Sequence, residues 1–156
     1  MLKTQKRPSW NEYFLQLAEI VKGRSNCIRR QVGAVLVKDR QIIAAGYSGT
    51  PRRVKNCDEG GCQRCLRREK NIIKTNERKD LCICICAEQN ALVQGAYHGI
   101  STKGTTLYAT VSPCLQCARL IINAGITTVV YKEQYQDDFG IKLLKSAGIT
   151  VHIYSK

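Results

Sequence analysis

The chain has 156 residues, which suits one domain with a real hydrophobic core. Its formal net charge of +13 at pH 7 favours an anionic partner such as a nucleotide, although a generally basic surface has the same composition. The basic residues are spread along the chain, which disfavours a dedicated nucleic-acid arm. No stretch approaches the ~20 apolar residues of a membrane span, and residues 1–23 do not read as a secretory leader, so we expect a cytoplasmic protein with no membrane partner.

The predicted elements run in chain order as a helix, a β-hairpin, and then helices that alternate with strands. Helices are predicted over 9–22, 87–97, 113–125 and 137–147, and strands over 32–37, 41–47, 105–111, 127–132 and 150–154. Ser9 and Glu12 form a capping box for the first helix, and Pro113 is expected at a first helical position. Because the later strands alternate with helices, they should run parallel within one mixed sheet covered by helices. Ligand sites in such α/β sheets lie where strands end and helices begin.

Residues 50–80 break this pattern, because they are polar, basic and cysteine-bearing, with little periodicity. We interpret them as a Cys-rich insertion, or a long functional loop, within a single domain that spans residues 1–156. The chain has nine cysteines, which is many for this length. In a reducing compartment, clustered cysteines more often bind a metal than form disulfides.

The residues that indicate a catalytic metal site lie at the starts of two predicted helices. Cys114 and Cys117 lie three apart at the start of one helix, so both thiols share a face, and the helix N-terminus favours the thiolates that bind zinc. Cys86 opens the preceding helix, and as a third ligand it would leave the fourth tetrahedral position open for water. Glu88 then lies beside the metal and can move a proton between that water and a substrate nitrogen. This arrangement matches the three-cysteine form of the zinc deaminases.

Each motif alone is weak, because a lone Cys-x-x-Cys is common in structural zinc sites and in redox proteins. The combination is much more specific: Cys86-Ala-Glu88 opens a helix, a strand follows, and Pro113-Cys-x-x-Cys117 opens the next helix. The sequence therefore predicts one catalytic zinc, with a structural zinc or redox use as the alternative.

The chain resembles the deoxycytidylate (dCMP) deaminases, a branch of the cytidine deaminase superfamily. The resemblance runs from Ser9 to nearly the end of the chain, through SNCIRRQVGAVLV, GYSGTP, AEQNAL, LYATVSPCLQCA and INAGITTVVY. It implies a three-layer fold with a central mixed five-stranded sheet between helices, and hydrolysis of dCMP to dUMP and ammonia in pyrimidine deoxynucleotide metabolism. It also implies a homo-oligomer, a hexamer or a dimer, with dCTP and dTTP as activator and inhibitor.

By the same resemblance, Cys86, Cys114 and Cys117 bind the catalytic zinc and Glu88 is the proton shuttle. Substrate contacts are expected from other residues at the strand ends and helix starts: Arg29, Arg30, Tyr47, Ser48, the backbone of Ala87, Tyr131 and Lys132. For each of the charged residues, a solvated surface position is the alternative.

Two positions depart from the family. Histidine is usual where this chain has Cys86, and three thiolates make the site more negative than two thiolates and an imidazole. Arg29 and Arg119 are the cations we expect to offset that charge. Asparagine is usual at Ser48, in a motif associated with nucleotide and effector contacts, and serine loses the paired donor and acceptor of the amide.

The other cysteines suggest a second, structural zinc, because a loop with little apolar content needs such a cross-link. Related deaminases carry one near Cys27 and in the insertion. We expect its ligands among Cys27, Cys57, Cys62, Cys65 and Cys82, with free thiols as the alternative, and we interpret Cys84 as a small packing residue.

Two rival functions remain open on the sequence. The chain can be another deaminase of the superfamily, acting on dCTP, cytidine, guanine or tRNA adenosine. It can also be a non-catalytic zinc module that binds nucleic acid, which would have no need for Glu88.

Overall fold

The computed structural model describes residues 6–155, so residues 1–5 and 156 of the predicted domain lie outside the described range. The helices are α1 (Trp10–Lys22), α2 (Gln63–Glu69), α3 (Ala87–Tyr97), α4 (Leu115–Asn123) and α5 (Phe139–Ser146), with a 3₁₀ turn at Lys79–Leu81. The strands are β1 (Gly33–Lys38), β2 (Gln41–Tyr47), β3 (Thr106–Val111), β4 (Thr128–Glu133) and β5 (Thr150–Ile153). Within 6–155, no helix is long and apolar enough to cross a membrane.

The strands form the mixed five-stranded sheet that the sequence predicts. Their order is β2-β1-β3-β4-β5, with β1 antiparallel to both β2 and β3. Strands β3, β4 and β5 are parallel, as their helical connections require. Asp39 and Arg40, with φ of 50° and 62°, make the two-residue turn between β1 and β2.

Helices cover both faces of the sheet, which makes the fold three-layered. Strand β1 shows why: Val35 and Val37 pack on one face against α1, where Phe14 and Leu15 are buried. The alternate residues of β1 face the larger core built with α3, α4 and α5, whose buried members include Ala91, Ile121 and Leu144. A strand buried on both faces reads as a continuous apolar run, as VGAVLV does.

Helix α3 approaches β2 closely at Gly46. A Cβ at this position would lie 2.3 Å from the Ala87 carbonyl oxygen and 2.3 Å from the Ala91 nitrogen. Only glycine fits this approach, which fixes the first turn of α3, and with it Cys86 and Glu88, against the sheet.

Two details differ from the prediction. Helix α4 begins at Leu115, because Cys114 is extended (φ −71°, ψ 170°) and acts as N-cap, so Pro113 precedes the helix. The insertion contains α2, which the sequence did not reveal because this helix buries Arg64 and Cys65 in place of an aliphatic stripe.

Candidate active site

Three cysteine thiols meet where α3 and α4 begin. Cys86 is the N-cap of α3 and Cys114 is the N-cap of α4, while Cys117 is buried in the first turn of α4. Their Sγ atoms all lie within 4.8 Å of one another, and those of Cys114 and Cys117 are 3.6 Å apart. Tetrahedral zinc with Zn–S bonds of about 2.3 Å places its sulfur ligands about 3.8 Å apart. The three thiols therefore fit a single zinc ion with one position left open.

The helix terminus favours an anionic sulfur at Cys114. Its pKa is lowered because the Cys117 and Cys86 thiols and the backbone N–H groups of Cys117 and Gln116 donate hydrogen bonds to the thiolate. The same hydrogen bonds raise the pKa of Cys86 and of Cys117. The thiolate is the form that binds metal, so the site is electrostatically prepared for a cation.

Glu88 lies next to these thiols and is almost inaccessible, with 4% of its surface exposed. Its Oε2 accepts a hydrogen bond from the Cys117 Sγ at 3.6 Å. Burial raises the pKa of Glu88 to about 7. A buried carboxyl that titrates near neutral pH beside a metal-type site is suited to move protons.

The site opens into a cavity of about 380 Å³ that also contains Cys86, Glu88 and Cys114. Its wall is strongly cationic, through Arg29, Arg30, Arg64, Arg68 and Lys79. Three of these, Arg64, Arg68 and Lys79, come from the Cys-rich insertion. The insertion therefore supplies much of the cavity's positive charge, and the arrangement suits an anionic small molecule.

Four of the predicted substrate contacts line this cavity: Arg29, Arg30, Ser48 and Ala87. Arg29 forms an ion pair with Glu69 of α2, and the Arg30 guanidinium lies 4.1 Å from the centre of the Tyr135 ring. The backbone of Ala87 belongs to the first turn of α3, where N–H groups have no partner within the helix.

Three predicted contacts lie elsewhere. Tyr131 packs in the larger core and donates its hydroxyl to Gln134 at 2.9 Å. Lys132 faces the opposite side of the sheet, where its Nζ lies 3.0 Å from Glu19 of α1. Tyr47 lines a separate cavity of about 560 Å³. The predictions for Tyr131 and Lys132 followed their place at the end of β4, but the alternation of the strand turns one inward and the other to the α1 face.

Ser48 holds the loop before β1. Its Oγ accepts from the Val32 backbone N–H at 2.9 Å, donates to the Arg30 carbonyl at 2.7 Å and lies 2.8 Å from the Ser25 hydroxyl. These contacts use the full capacity of a hydroxyl, so Ser48 positions the Arg30 segment at the cavity wall.

Sequence reasoning missed several cavity residues, namely Arg64, Arg68, Lys79, Tyr135 and Gln136. The basic composition of the insertion was a usable signal for the first three, but nothing in the chain pattern marked Tyr135 or Gln136. Arg119, expected near the zinc, is exposed on α4 and does not line the cavity.

The five cysteines expected at a second zinc are brought together next to this cavity, and Cys84 joins them. Cys84 packs against this cluster, as interpreted from the sequence, but its closeness to the other five thiols was not predicted. Its Sγ lies 4.0 Å from that of Cys65.

Comparison with known proteins identifies the family and agrees with the fold. The sequence model described as "Cytidine and deoxycytidylate deaminase zinc-binding region" matches residues 8–133. The chain belongs to this family of zinc-binding deaminases. The predicted resemblance to the dCMP deaminases is confirmed by the relatives found.

Deoxycytidylate deaminase of Saccharomyces cerevisiae is 43% identical over 150 residues, covering 96% of this chain and 46% of that protein. Deoxycytidylate deaminase of Mycobacterium phage D29 is 38% identical over 132 residues, covering 82% of this chain and 98% of that protein. The chain spans about half the length of the Saccharomyces cerevisiae relative and of deoxycytidylate deaminase of Schizosaccharomyces pombe. The dCMP deaminase of cyanophage S-TIM5, solved in complex with dCMP and dUMP, superposes with a TM-score of 0.76 at 34% identity, covering 96% of this chain and 100% of that one. This likeness confirms the predicted cytidine deaminase-like fold.

Proposed function

We propose that the chain hydrolyses dCMP to dUMP and ammonia, as a cytidine-type deaminase with one catalytic zinc. The observation that carries this proposal is the placement of Glu88: a buried carboxylate 3.6 Å from the Cys117 Sγ, beside three thiols arranged for zinc. A structural or redox Cys-x-x-Cys site has no use for such a carboxylate, which costs free energy to bury. The most similar curated relatives named above carry the name deoxycytidylate deaminase, which supports the choice of substrate.

In this reaction Cys86, Cys114 and Cys117 hold the ion, and zinc, when bound, lowers the pKa of a water molecule so that it can attack C4 of cytosine. Glu88 accepts the first proton of the water at its carboxylate and delivers it to the ring nitrogen N3, where it stays in the product. The C4–O bond forms, and Glu88 then takes the second proton from the new C4 hydroxyl and delivers it to the amino group. The C4–N bond breaks, C4 keeps its oxygen as a carbonyl, and ammonia leaves with the second proton. The Ala87 N–H, at the start of α3, binds the pyrimidine carbonyl.

The 5′-phosphate is assigned to the cationic wall. Arg29 is paired with Glu69, and the Arg64 guanidinium donates to the carbonyls of Thr75 and Glu77 at 2.7 and 3.0 Å. Arg30, Arg68 and Lys79 are therefore the cations we assign to the phosphate. Cytidine, which lacks the phosphate, should then be a poor substrate.

Regulation by dCTP and dTTP and assembly into a hexamer or dimer stay predictions. Because the Ser48 hydroxyl is engaged within the chain, we assign no contact with either nucleotide to it. Rates of dCMP deamination with and without each triphosphate test the regulation, and sedimentation at several protein concentrations tests the assembly.

The substrate is tested by the ultraviolet absorbance change of dCMP, dCTP, CMP, cytidine and a tRNA, with wild type and with Glu88→Gln. The proposal expects deamination of dCMP in preference to the other compounds, and its loss in Glu88→Gln. Deamination of the tRNA, or dCMP turnover that Glu88→Gln leaves intact, would overturn it.

A further inference from the structure

Six cysteines lie outside the three-thiol site, and the fold gathers all of them in one place. They come from four separate stretches of chain: Cys27 after α1, Cys57 in the insertion, Cys62 and Cys65 at the start of α2, and Cys82 and Cys84 before α3. The sulfurs divide into two groups of four, and within each group all of them lie within 4.8 Å of one another.

The two groups share members. Cys65 and Cys84 belong to both, whereas Cys27 and Cys57 belong only to the first group and Cys62 and Cys82 only to the second. The Sγ of Cys65 is 3.9 Å from that of Cys82 and 4.0 Å from that of Cys84, while the Sγ atoms of Cys62 and Cys82 are 4.0 Å apart. These distances match the separation of about 3.8 Å between sulfur ligands of a tetrahedral zinc. The pattern is that of two ZnS₄ tetrahedra joined along one edge.

The backbone is shaped to bring these thiols together. Between Cys57 and Cys62 the chain turns through Gly60, whose φ is 93°, and Gly61. A Cβ on Gly61 would lie 1.8 Å from the Lys55 carbonyl oxygen, so no other residue fits there. The Gly60 and Gly61 N–H groups close the turn onto the carbonyls of Cys57 and Asn56 at 3.0 and 2.8 Å.

Hydrophobic packing alone does not explain why these six cysteines lie together. The buried members of this cluster are all cysteines, and the residues packed against them are Ile28, Cys82 and Cys84. A core of thiols alone buries far less apolar surface than the aliphatic side chains that hold the sheet. A single zinc uses four of the thiols and gives no reason for the other two to meet the same pair, Cys65 and Cys84.

Charge also agrees with a metal cluster. Six thiolates carry more negative charge than two Zn²⁺ ions offset, so such a cluster needs cations nearby. Arg64, Arg68, Arg29, Arg30 and Lys79 line the cavity along with four of the cluster cysteines. Arg64 lies between Cys62 and Cys65 in the sequence and is itself buried, with 9% of its surface exposed.

We propose that these six cysteines bind two zinc ions as a binuclear cluster, with the Cys65 and Cys84 thiolates each bridging both ions. Cys27 and Cys57 complete one ion, and Cys62 and Cys82 complete the other. Six cysteines with two zinc ions occur in small nucleic-acid-binding modules, so the chemistry has precedent. Here the cluster joins the insertion to the sheet and forms one wall of the substrate cavity. The full chain then holds three zinc ions, one of them at the candidate active site.

Native mass spectrometry of the full chain measures the ion count. We expect three zinc ions per chain in wild type and two in Cys117→Ser, which removes only the ion at the active site. One or two ions in wild type would overturn the proposal. Iron with acid-labile sulfide in place of zinc would overturn it as well.

Wild-type protein loaded with ¹¹³Cd tests the bridges without any variant that fails to fold. Bridging thiolates connect the two metals through bonds, so we expect two ¹¹³Cd resonances split by coupling to each other and a third that is uncoupled. Three uncoupled resonances would show that the two cluster ions share no thiolate ligand, and would overturn the proposal. The uncoupled resonance should vanish in Cys117→Ser while the coupled pair remains. Because these readouts do not depend on turnover, a chain inactive on dCMP can still show the coupled pair, and the two proposals fail separately.

Discussion

The two cysteine sites of this chain differ in how many groups surround the metal position. Where α3 and α4 begin, the candidate site has three thiols, and the Glu88 carboxylate lies beside them without being assigned as a ligand. One corner of a zinc tetrahedron would therefore stay open to solvent and substrate. In the six-cysteine cluster, every corner of both proposed tetrahedra is a thiol. An open position suits catalysis and a closed shell suits structure. If both proposals hold, the same residue type serves two purposes in this chain, and the number of thiol ligands distinguishes them.

The elements that present the cysteines differ in the same way. Regular helices α3 and α4, fixed against the sheet, carry the open site. Half of the closed cluster, namely Cys57, Cys62 and Cys65, comes from the insertion, which has almost no aliphatic core of its own. A reactive site needs rigid geometry, which packed helices already give, whereas the insertion gains its rigidity from the cluster.

Glu88→Gln gives the largest expected effect on the open site. The amide cannot carry a proton, so we expect kcat on dCMP to fall by about 10²-fold to 10⁴-fold. Zinc content should stay at three ions per chain, because Glu88 is not assigned as a ligand. Steady-state kinetics with zinc analysis measures both. Glu133→Gln, at an exposed carboxylate of β4, is the matched control and should keep wild-type kinetics; a similar loss there would break the comparison.

Gly61→Ala attacks the closed cluster. The new methyl would overlap the Lys55 carbonyl, so we expect a loss of about 3 kcal/mol in the free energy of unfolding and release of the two cluster ions. Gly99→Ala is the control, since a Cβ there has nothing within 4 Å and only the strain of its positive φ, about 1 kcal/mol, applies. Denaturant unfolding and zinc analysis compare them. Equal losses of stability and zinc in both variants would argue against a cluster centred on this turn.

Arg30→Ala tests the contribution of the cavity wall. Loss of one charge-assisted contact to phosphate, worth about 1.5 to 3 kcal/mol, should raise KM for dCMP by about 10-fold to 100-fold with a smaller change in kcat. Kinetics on dCMP and cytidine separates the phosphate from the base, because cytidine should be unaffected. Arg119→Ala removes the same charge at an exposed position outside the cavity and should leave both constants unchanged. An equal rise of KM on cytidine would contradict the phosphate assignment.

Cys86→His should have the smallest effect. Imidazole is also a zinc ligand and makes the site less negative, so we expect the ion to stay bound and kcat to remain within about tenfold of wild type. Zinc analysis and kinetics on dCMP measure this. Loss of the ion would mean that the groups around Cys86 accept only sulfur at this corner.

Much of the fold was readable in the sequence because its signals are local. VGAVLV, the short polar connection at 38–40 and the glycines after α1, α4 and α5 mark elements through periodicity and turn chemistry. The grouping of Cys86 with Cys114 and Cys117 was also predictable, since β2 and β3 run in the same direction and the helices α3 and α4 follow them, which brings the two helix starts to one edge of the sheet. Zinc binding by these thiols and the role of Glu88 stay predictions.

The misplaced residues share a different cause. Whether Lys132 faces the cavity or α1 depends on the pairing of β4 with its neighbours, and a shift of one residue exchanges the two faces. The position of Cys84 in the six-cysteine cluster was not predicted for a related reason: alternation along one stretch of chain does not indicate which distant segments will contact its side chain. Long-range convergence of this kind leaves no periodic signal in a single sequence.

The stretch from Cys82 to Glu88 contributes residues to both candidate metal sites. Ile85 within it pairs with Gly49 through two backbone hydrogen bonds of 2.8 and 3.2 Å. The side chains of this stretch alternate about that pair, so one added or deleted residue would turn either the cluster thiols or Cys86 away from their partners. Lineages that descend from such a chain can change the lengths of surface turns elsewhere in the fold. We expect this stretch to keep its length through all of them, so indels should be absent there even where substitutions accumulate.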